Sequence, residues 1–295
     1  MIIDLVFSGG GIKAVAFIGV VQALEEKGIK VRRIAGTSAG ALMGSLIAAG
    51  YTSSEINRML PFMSHLIYKE NSKKNWMPSW IRWIQLYWKK GLYSGDGLLE
   101  WLEQKLKEKG VYAFSDLPYG SLKMVASDLT SGKMIVLPDD AIYYDRDPQA
   151  MSVAEAVRMS ASLPFFYEPV KLNKGKNAHI IVDGGVLSNF PIWMLEEYGG
   201  IEDVPIVGFQ LQAASKKNQK KKIENVIELY SALFTTMKEA HDARHLEQIS
   251  KKNVLIIPVP DLSPVDSTLT TNEMHALIQL GRAHTLQYLD KHILK

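Results

Sequence analysis

Ser38 stands in Gly36-Thr37-Ser38-Ala39-Gly40, directly after the strand-like run Val31 to Ala35 and before a helical stretch of small residues. A serine on so sharp a strand-to-helix turn takes strained dihedrals, and flanking glycines keep neighbouring side chains from covering it. Its hydroxyl is then displayed at the carboxyl edge of a sheet and at a helix N-terminus, where the dipole favours developing negative charge. That is the setting of a nucleophile. The letters Gly-x-Ser-x-Gly say little in a chain with 22 glycines; their context carries the reading.

A second motif opens the chain. Ile2 to Phe7 reads as a buried strand, and Ser8-Gly9-Gly10-Gly11-Ile12-Lys13-Ala14 then opens a helix running to about Lys27. Gly9-x-Gly11-x-x-Ala14 fits a dinucleotide fingerprint, but that fingerprint needs an acidic residue at the end of the second strand. The second strand ends in Ala35-Gly36, and Glu25 and Glu26 fall inside the helix. The other reading is an oxyanion hole, in which N–H groups of Gly9, Gly10 and Gly11 await a tetrahedral intermediate. A glycine loop on one strand and a nucleophile on the next converge naturally on one carbonyl carbon.

A serine nucleophile needs a base. Asp183-Gly184-Gly185 follows the mostly apolar run His179 to Val182, so Asp183 also ends a strand. A carboxylate followed by two glycines is sterically open to a hydroxyl, although Asp-Gly-Gly is equally the composition of a plain turn. The order Ser, Asp, His would suit an α/β-hydrolase triad. The downstream candidates His241, His245, His275, His284 and His292 sit in polar or helical surroundings without a turn signature. His241 and His245 share a helical face with Asp242 between them, without the metalloprotease pattern.

In order, spacing and context, these motifs resemble the patatin-like phospholipase family. The likeness extends through Phe114-Ser115-Asp116-Leu117-Pro118, Ala126 to Gly132, Ala156 to Pro169 and Val186 to Pro191, covering residues 2 to 212 apart from one insertion. The resemblance implies a Ser–Asp dyad without histidine, with Ser38 as nucleophile and Asp183 as general base. It also implies an acyl-enzyme intermediate, ester substrates and no metal or cofactor. Ile12, Lys13, Ala14, Gly36, Gly40, Gly184 and Gly185 support those motifs. Two positions depart from the family pattern: Lys13 stands where many relatives carry arginine, and Ala14 replaces the last glycine of the loop.

The insertion, residues 61 to 93, bears on the substrate. Trp76, Trp80, Trp83 and Trp88 fall there, four of the chain's six tryptophans. Trp80, Trp83, Ile84, Tyr87 and Trp88 follow the spacing of one helical face. Lys69, Lys73, Lys74, Arg82, Lys89 and Lys90 against Glu70 make the segment strongly basic on a chain of net charge +3. Basic residues interleaved with tryptophan suit an anionic lipid interface; a cap helix packed over the site accounts for them equally, and a lid does both. No continuous basic stripe marks a nucleic-acid surface.

Alternating strands and helices over 295 residues without a linker predict one domain of three-layer α/β/α architecture. Its central sheet is expected to be mostly parallel or mixed, with the insertion as a helical cap. Strands are expected near 2–8, 31–36, 122–128, 133–137, 178–183, 205–211 and 253–258. Helices are expected near 13–28, 40–50, 95–109, 152–160 and 222–248. There is no signal-peptide pattern and no apolar run long enough to span a bilayer. The expectation is a cytoplasmic protein that touches membranes peripherally. Cysteine is absent, so disulfides play no part.

The leading expectation is a lipid acyl hydrolase acting on phospholipids or lysophospholipids. The alternatives are a carboxylesterase with a Ser–Asp–His triad and a non-catalytic lipid- or nucleotide-binding module. If the tryptophan face meets lipid, Trp80→Ala combined with Trp83→Ala weakens vesicle binding while hydrolysis of a soluble short-chain ester persists. Loss of both activities together would mean that the tryptophans are core.

Overall fold

Strand β1 (Ile2–Phe7) divides its side chains between the two faces of a sheet, as a period of two requires. Ile3, Leu5 and Phe7 enter the larger of two apolar clusters, and Val6 enters the smaller. The computed structural model in which this is seen describes residues 1–61, 90–173, 175, 178–197, 204–214, 229, 232, 233, 236, 254–260 and 269–293. The tryptophans Trp76, Trp80, Trp83 and Trp88, His241, His245 and nearly all of the helix expected over 222–248 lie outside the described residues.

β1 continues through a 3-10 turn (Gly11–Val15) into α1 (Ala16–Glu26), then β2 (Lys30–Thr37) and α2 (Ala39–Ala48). After the helical residues 53–61 come β3 (Gly91–Tyr93), α3 (Asp96–Glu108), β4 (Leu122–Asp128), β5 (Lys133–Leu137) and α4 (Val153–Ser160). The chain then forms β6 (Phe165–Tyr167), β7 (Val170–Leu172), β8 (His179–Asp183), α5 (Trp193–Glu197), β9 (Ile206–Ala213), β10 (Val254–Val259) and α6 (Thr271–His292). The central sheet is mixed. β10, β9, β1, β2 and β4 run parallel in that order, whereas β8 and β5 pair antiparallel with β4 and β7 antiparallel with β8.

The layers follow from the clusters. Phe17 of α1, Leu46 of α2, Leu102 of α3, Met159 of α4 and Leu289 of α6 pack on one face against Phe7, Ile34 and Met124. The thinner third layer is Phe190, Ile192, Met194 and Leu195 against Val6, Ala35 and Val125. The three-layer α/β/α architecture and all seven expected strands are therefore present. The short strands β3, β6 and β7 and the helices α5 and α6 were not expected. β3 pairs in parallel with β6, so the chain has rejoined the scaffold by Gly91, inside the range assigned to the insertion. α6 carries a capping box: Thr270 Oγ1 accepts the N–H of Glu273, and Glu273 Oε2 accepts the N–H of Thr270 at 2.8 Å. It lies close on α1, where a Cβ at Gly281 would stand 2.0 Å from the Ala16 carbonyl oxygen. Among the described residues no helix is long and apolar enough to cross a membrane.

Asp4 is the exception in β1, a fully buried carboxylate on the thin-layer face. It accepts hydrogen bonds from Arg32 Nε at 3.0 Å and from Arg33 Nε at 2.9 Å, and further bonds from the Nη2 atoms of both. Burial alone would raise its pKa, but the two guanidinium groups outweigh that and hold it below the ordinary value. A group that titrates lower folded than unfolded stabilises fully above its unfolded pKa, about 3.9. That contribution is lost as pH falls through the folded value. Asp4→Asn should therefore lose about 2–4 kcal/mol at neutral pH, because both guanidinium groups lose the carboxylate that they share. Urea unfolding across a pH series should show the gap to wild type closing toward acid; a gap independent of pH would contradict this account.

Candidate active site

The sheet's geometry brings the two strand ends of interest together. β5 occupies one edge of β4, pairing Met124 with Leu137 through to Asp128 with Lys133. A strand has two hydrogen-bonding edges, so β2 and β8 must share the other. Along it, β2 pairs in parallel up to Thr37 opposite Val125, and β8 comes from the opposite direction to Asp183 opposite Ala126. The two strands thus meet head-on at consecutive residues of β4. Ser38 follows Thr37 directly, and Asp183 is the last residue of β8.

Side-chain direction agrees. Thr37 faces the thin layer, where its Oγ1 donates to the Ser188 carbonyl at 3.0 Å. Asp183, opposite Ala126 and two residues from Ile181, projects on the helical face that those residues share. Ser38, the residue after Thr37, has φ 56°, ψ −122°. Such a conformation costs a non-glycine residue about 1–3 kcal/mol and persists only where surroundings over-determine it. Here the Ser38 N–H donates to Ser160 Oγ at 2.9 Å, and its carbonyl accepts the first α2 bond from Leu42 at 3.1 Å. The hydroxyl makes no capping bond to its own helix. Ser38 is half-buried, whereas Asp183 is 2% exposed, so the serine is the more accessible of the two.

The glycines act mostly by letting backbones approach. A Cβ on Gly36 would stand 2.6 Å from Gly40, and one on Gly40 would stand 2.6 Å from the Phe7 and Ser8 carbonyl oxygens. The elbow is thus pressed onto both neighbours. Gly184 lies on Val125, where a Cβ would meet the carbonyl oxygen at 2.3 Å. Gly185 serves through its N–H, which donates to Asp183 Oδ1 at 2.7 Å and fixes the carboxylate. The N–H of Asp183 donates to the Ser162 carbonyl at 2.9 Å.

The glycine loop divides differently from the sequence expectation. The Gly9 N–H donates to the Asn189 carbonyl at 2.9 Å, so Gly9 is a fixing point and no spare oxyanion donor. A Cβ there would stand 2.5 Å from Asn189 Oδ1 and 3.5 Å from Ser38 Cβ. Gly10 and Gly11 open the 3-10 turn, where N–H groups have no intrahelical acceptor, and both are half-buried. Gly11 has φ 55°, which only glycine adopts without strain. Ile12 and Lys13 are half-buried on the same turn, and Ala14 is buried, in keeping with a position that must be small.

Sequence reasoning passed over several residues of this neighbourhood. Ser160 and Ser162 lie within the quoted Ala156–Pro169 run, and Asn189 within Val186–Pro191, but none carries a local signature of its task. His179 was read only as part of a strand. Its Nδ1 lies 2.7 Å from Oδ2 of the buried Asp128, which also accepts from Tyr144 Oη at 3.0 Å and from the Thr130 N–H at 2.9 Å. Burial pushes the Asp128 carboxyl up, but bonds from Ser131, His179 and Tyr144 outweigh it and hold the pKa low. Asp128 and its buried bonds also push the Tyr144 hydroxyl above its ordinary value, burial being the larger cause. His179 precedes Asp183 by four residues, about 13 Å along a strand, and its ring is engaged away from Ser38. Among the described residues no cluster of His, Asp and Glu could hold a metal ion.

The mixed α/β/α fold is also seen in known proteins. The structure resembles that of VipD from Legionella pneumophila, with a TM-score of 0.55 at 18% identity, over 98% of this chain and 67% of that one. In sequence, residues 5–195 match the model of the patatin-like phospholipase family. The chain is 44% identical to YqhO, an uncharacterized protein of Bacillus subtilis, with 98% of each covered. It is 23% identical to the probable lipid hydrolase 463L of Invertebrate iridescent virus 6, over 94% of this chain and 85% of that protein. The chain belongs to the patatin-like phospholipase family.

The contact of Gly184 with β4 can be tested directly. Gly184→Ala should lose about 1–3 kcal/mol through overpacking. Gly110→Asn, at φ 75° with open space around it, should change stability by less than about 1 kcal/mol. Equal losses in chemical denaturation would mean that the Val125 contact does not constrain the strand junction.

Proposed function

We propose that the protein is a lipid acyl hydrolase that cleaves acyl esters of phospholipids or lysophospholipids through a Ser38–Asp183 dyad. The observation that carries this reading is the head-on meeting of β2 and β8 on one edge of β4, with Ser38 held at positive φ. Family membership and the probable lipid hydrolase among its relatives support the lipid ester as substrate.

In this mechanism Ser38 Oγ attacks the acyl carbonyl carbon while Asp183 accepts its proton. The carbonyl oxygen becomes an oxyanion, stabilised by the N–H groups of Gly10 and Gly11 and by the N-terminus of α2. Collapse breaks the ester bond, and Asp183 returns the proton to the leaving alcohol, the lysolipid or glycerophosphodiester. An acyl group then remains on Ser38. Water attacks it, giving its proton to Asp183 and releasing the fatty acid, and the proton passes back to Ser38. The basic, tryptophan-rich segment 61–93 is proposed to meet the bilayer surface and deliver the ester to Ser38.

Fatty-acid release from mixed-chain phosphatidylcholine and from anionic vesicles tests the reading. Ser38→Ala should abolish release, and Asp183→Asn should lower it about 10²–10⁴-fold. Alanine at His241, His245, His275, His284 or His292 should leave it standing, since a dyad needs none of them. Release that vanishes in one of those histidine variants would favour a triad esterase. Vesicle binding without product would leave a non-catalytic lipid-binding module.

A further inference from the structure

Two backbone N–H groups of the site are held by one turn. The N–H of Ser38 donates to Ser160 Oγ, and the N–H of Asp183 donates to the Ser162 carbonyl, each at 2.9 Å. Ser160 is the last residue of α4, and Ser162 lies two residues beyond; both are fully buried. The turn is itself tightly fixed. Ala161 and Ser162 donate back into α4, to the Val157 and Met159 carbonyls at 2.9 and 3.1 Å. The Ser162 hydroxyl donates to the Arg158 carbonyl at 2.6 Å and accepts from the Arg158 guanidinium. That guanidinium, only 5% exposed as a residue, also donates to the Ser94 carbonyl and, at 2.7 Å, to the Glu168 carbonyl. Gly95 leaves it room: a Cβ there would lie 2.2 Å from Arg158 Nε.

The bond to Ser160 answers a specific need. The β2 ladder to β4 ends at Thr37, so the N–H of Ser38 has no strand partner. In a buried setting an N–H without an acceptor is destabilising, and the peptide rotates to find one. Rotation of the Thr37–Ser38 peptide would carry Oγ out of line with both the carbonyl carbon and Asp183.

We propose that the Ser160–Ser162 turn is the positioning element of this site: Ser160 fixes the nucleophile, the Ser162 carbonyl fixes the base, and one rigid turn sets their separation. The proposal rests on the hydrolase reading of Ser38 and Asp183. Ser160 touches neither substrate nor reacting atoms; it acts through the Ser38 peptide.

Ser160→Ala in the full chain is the test. Misplacing a nucleophile by about 1 Å lowers its rate on the order of 10²-fold. So kcat for 4-nitrophenyl butyrate should fall about 10–100-fold with little change in KM. Phosphonylation of Ser38 by a fluorophosphonate should slow in parallel, and the Ser38 amide proton should exchange faster with solvent. Ser160→Thr, which keeps the acceptor oxygen, should recover rate and protection. Ser121→Ala removes another buried hydroxyl, one without a hydrogen-bond partner among the described residues, and should leave all three readouts unchanged. If Ser160→Ala turns over, phosphonylates and exchanges like wild type, the proposal falls alone. A wild type inert to both probes would sink the hydrolase reading instead, while faster Ser38 exchange in Ser160→Ala would still support the holding role of Ser160.

Discussion

The site depends on one constraint: two strands running in opposite directions share a single edge of β4 and stop at adjacent residues. Each strand is fixed by its own ladder, so the ends cannot drift relative to one another without breaking hydrogen bonds to β4. The chain leaves β2 through Ser38 and leaves β8 through Gly184, and these departures are forced by the meeting itself. Neither strand can continue, because the other occupies the next position along β4. The sharp turn at Ser38 and the turn after Asp183 are thus two consequences of one collision. The left-handed backbone of Ser38 is the local expression of that geometry, and its stabilisation comes from elsewhere in the fold.

The surroundings supply that stabilisation through close backbone contact. Gly36 and Gly40 let α2 lie against β1 and β2, Gly184 lets β8 press on Val125, and Gly9 lets the first loop fit beneath Asn189. The loop Asp183–Asn189 therefore does two things. It carries the carboxylate, and through the Asn189 and Ser188 carbonyls it holds both the glycine loop at Gly9 and the elbow at Thr37. The Ser38 elbow and the glycine loop are joined to the Asp183 loop by hydrogen bonds from Thr37 Oγ1 and the Gly9 N–H to its backbone carbonyls, which tolerate little displacement. A side chain added at any of those glycines acts on all three parts together.

How much of this could be read in the sequence follows from how local each feature is. The elbow at Ser38 and the glycine loop announce themselves because strand, turn residue and helix are adjacent in the chain. Asp183 was legible as a strand end, but the direction of β8 was not. A run such as His179 to Val182 looks the same in a parallel or an antiparallel sheet. The engagement of Gly9 with Asn189, of Ser38 with Ser160 and of His179 with Asp128 joins residues far apart in sequence, and a serine that accepts a distant N–H has no pattern of its own. Two features were legible and were overlooked. Thr270-x-x-Glu273 is a capping box that marks the start of α6. Asp4 in an apolar strand had to find a cation, and Arg32-Arg33 at the equivalent part of the next strand are the evident partners.

The head-on junction also bears on why a serine and an aspartate could act without an intermediary. A histidine between nucleophile and carboxylate spans the distance when the two come from separated loops, and its imidazole carries the proton between them. Here Thr37 and Asp183 pair with consecutive residues of β4, which brings Ser38 and Asp183 near one another and supports the proposed dyad without a histidine between them. The consequence falls on the leaving group. In the proposed mechanism the carboxylic acid hands its proton to a departing alkoxide, and an alcohol leaves more readily than an amine. The proposed pair would therefore favour esters over amides, and Gly10, Gly11 and Ser38, all half-buried, are the groups that the proposal sets around the ester carbonyl.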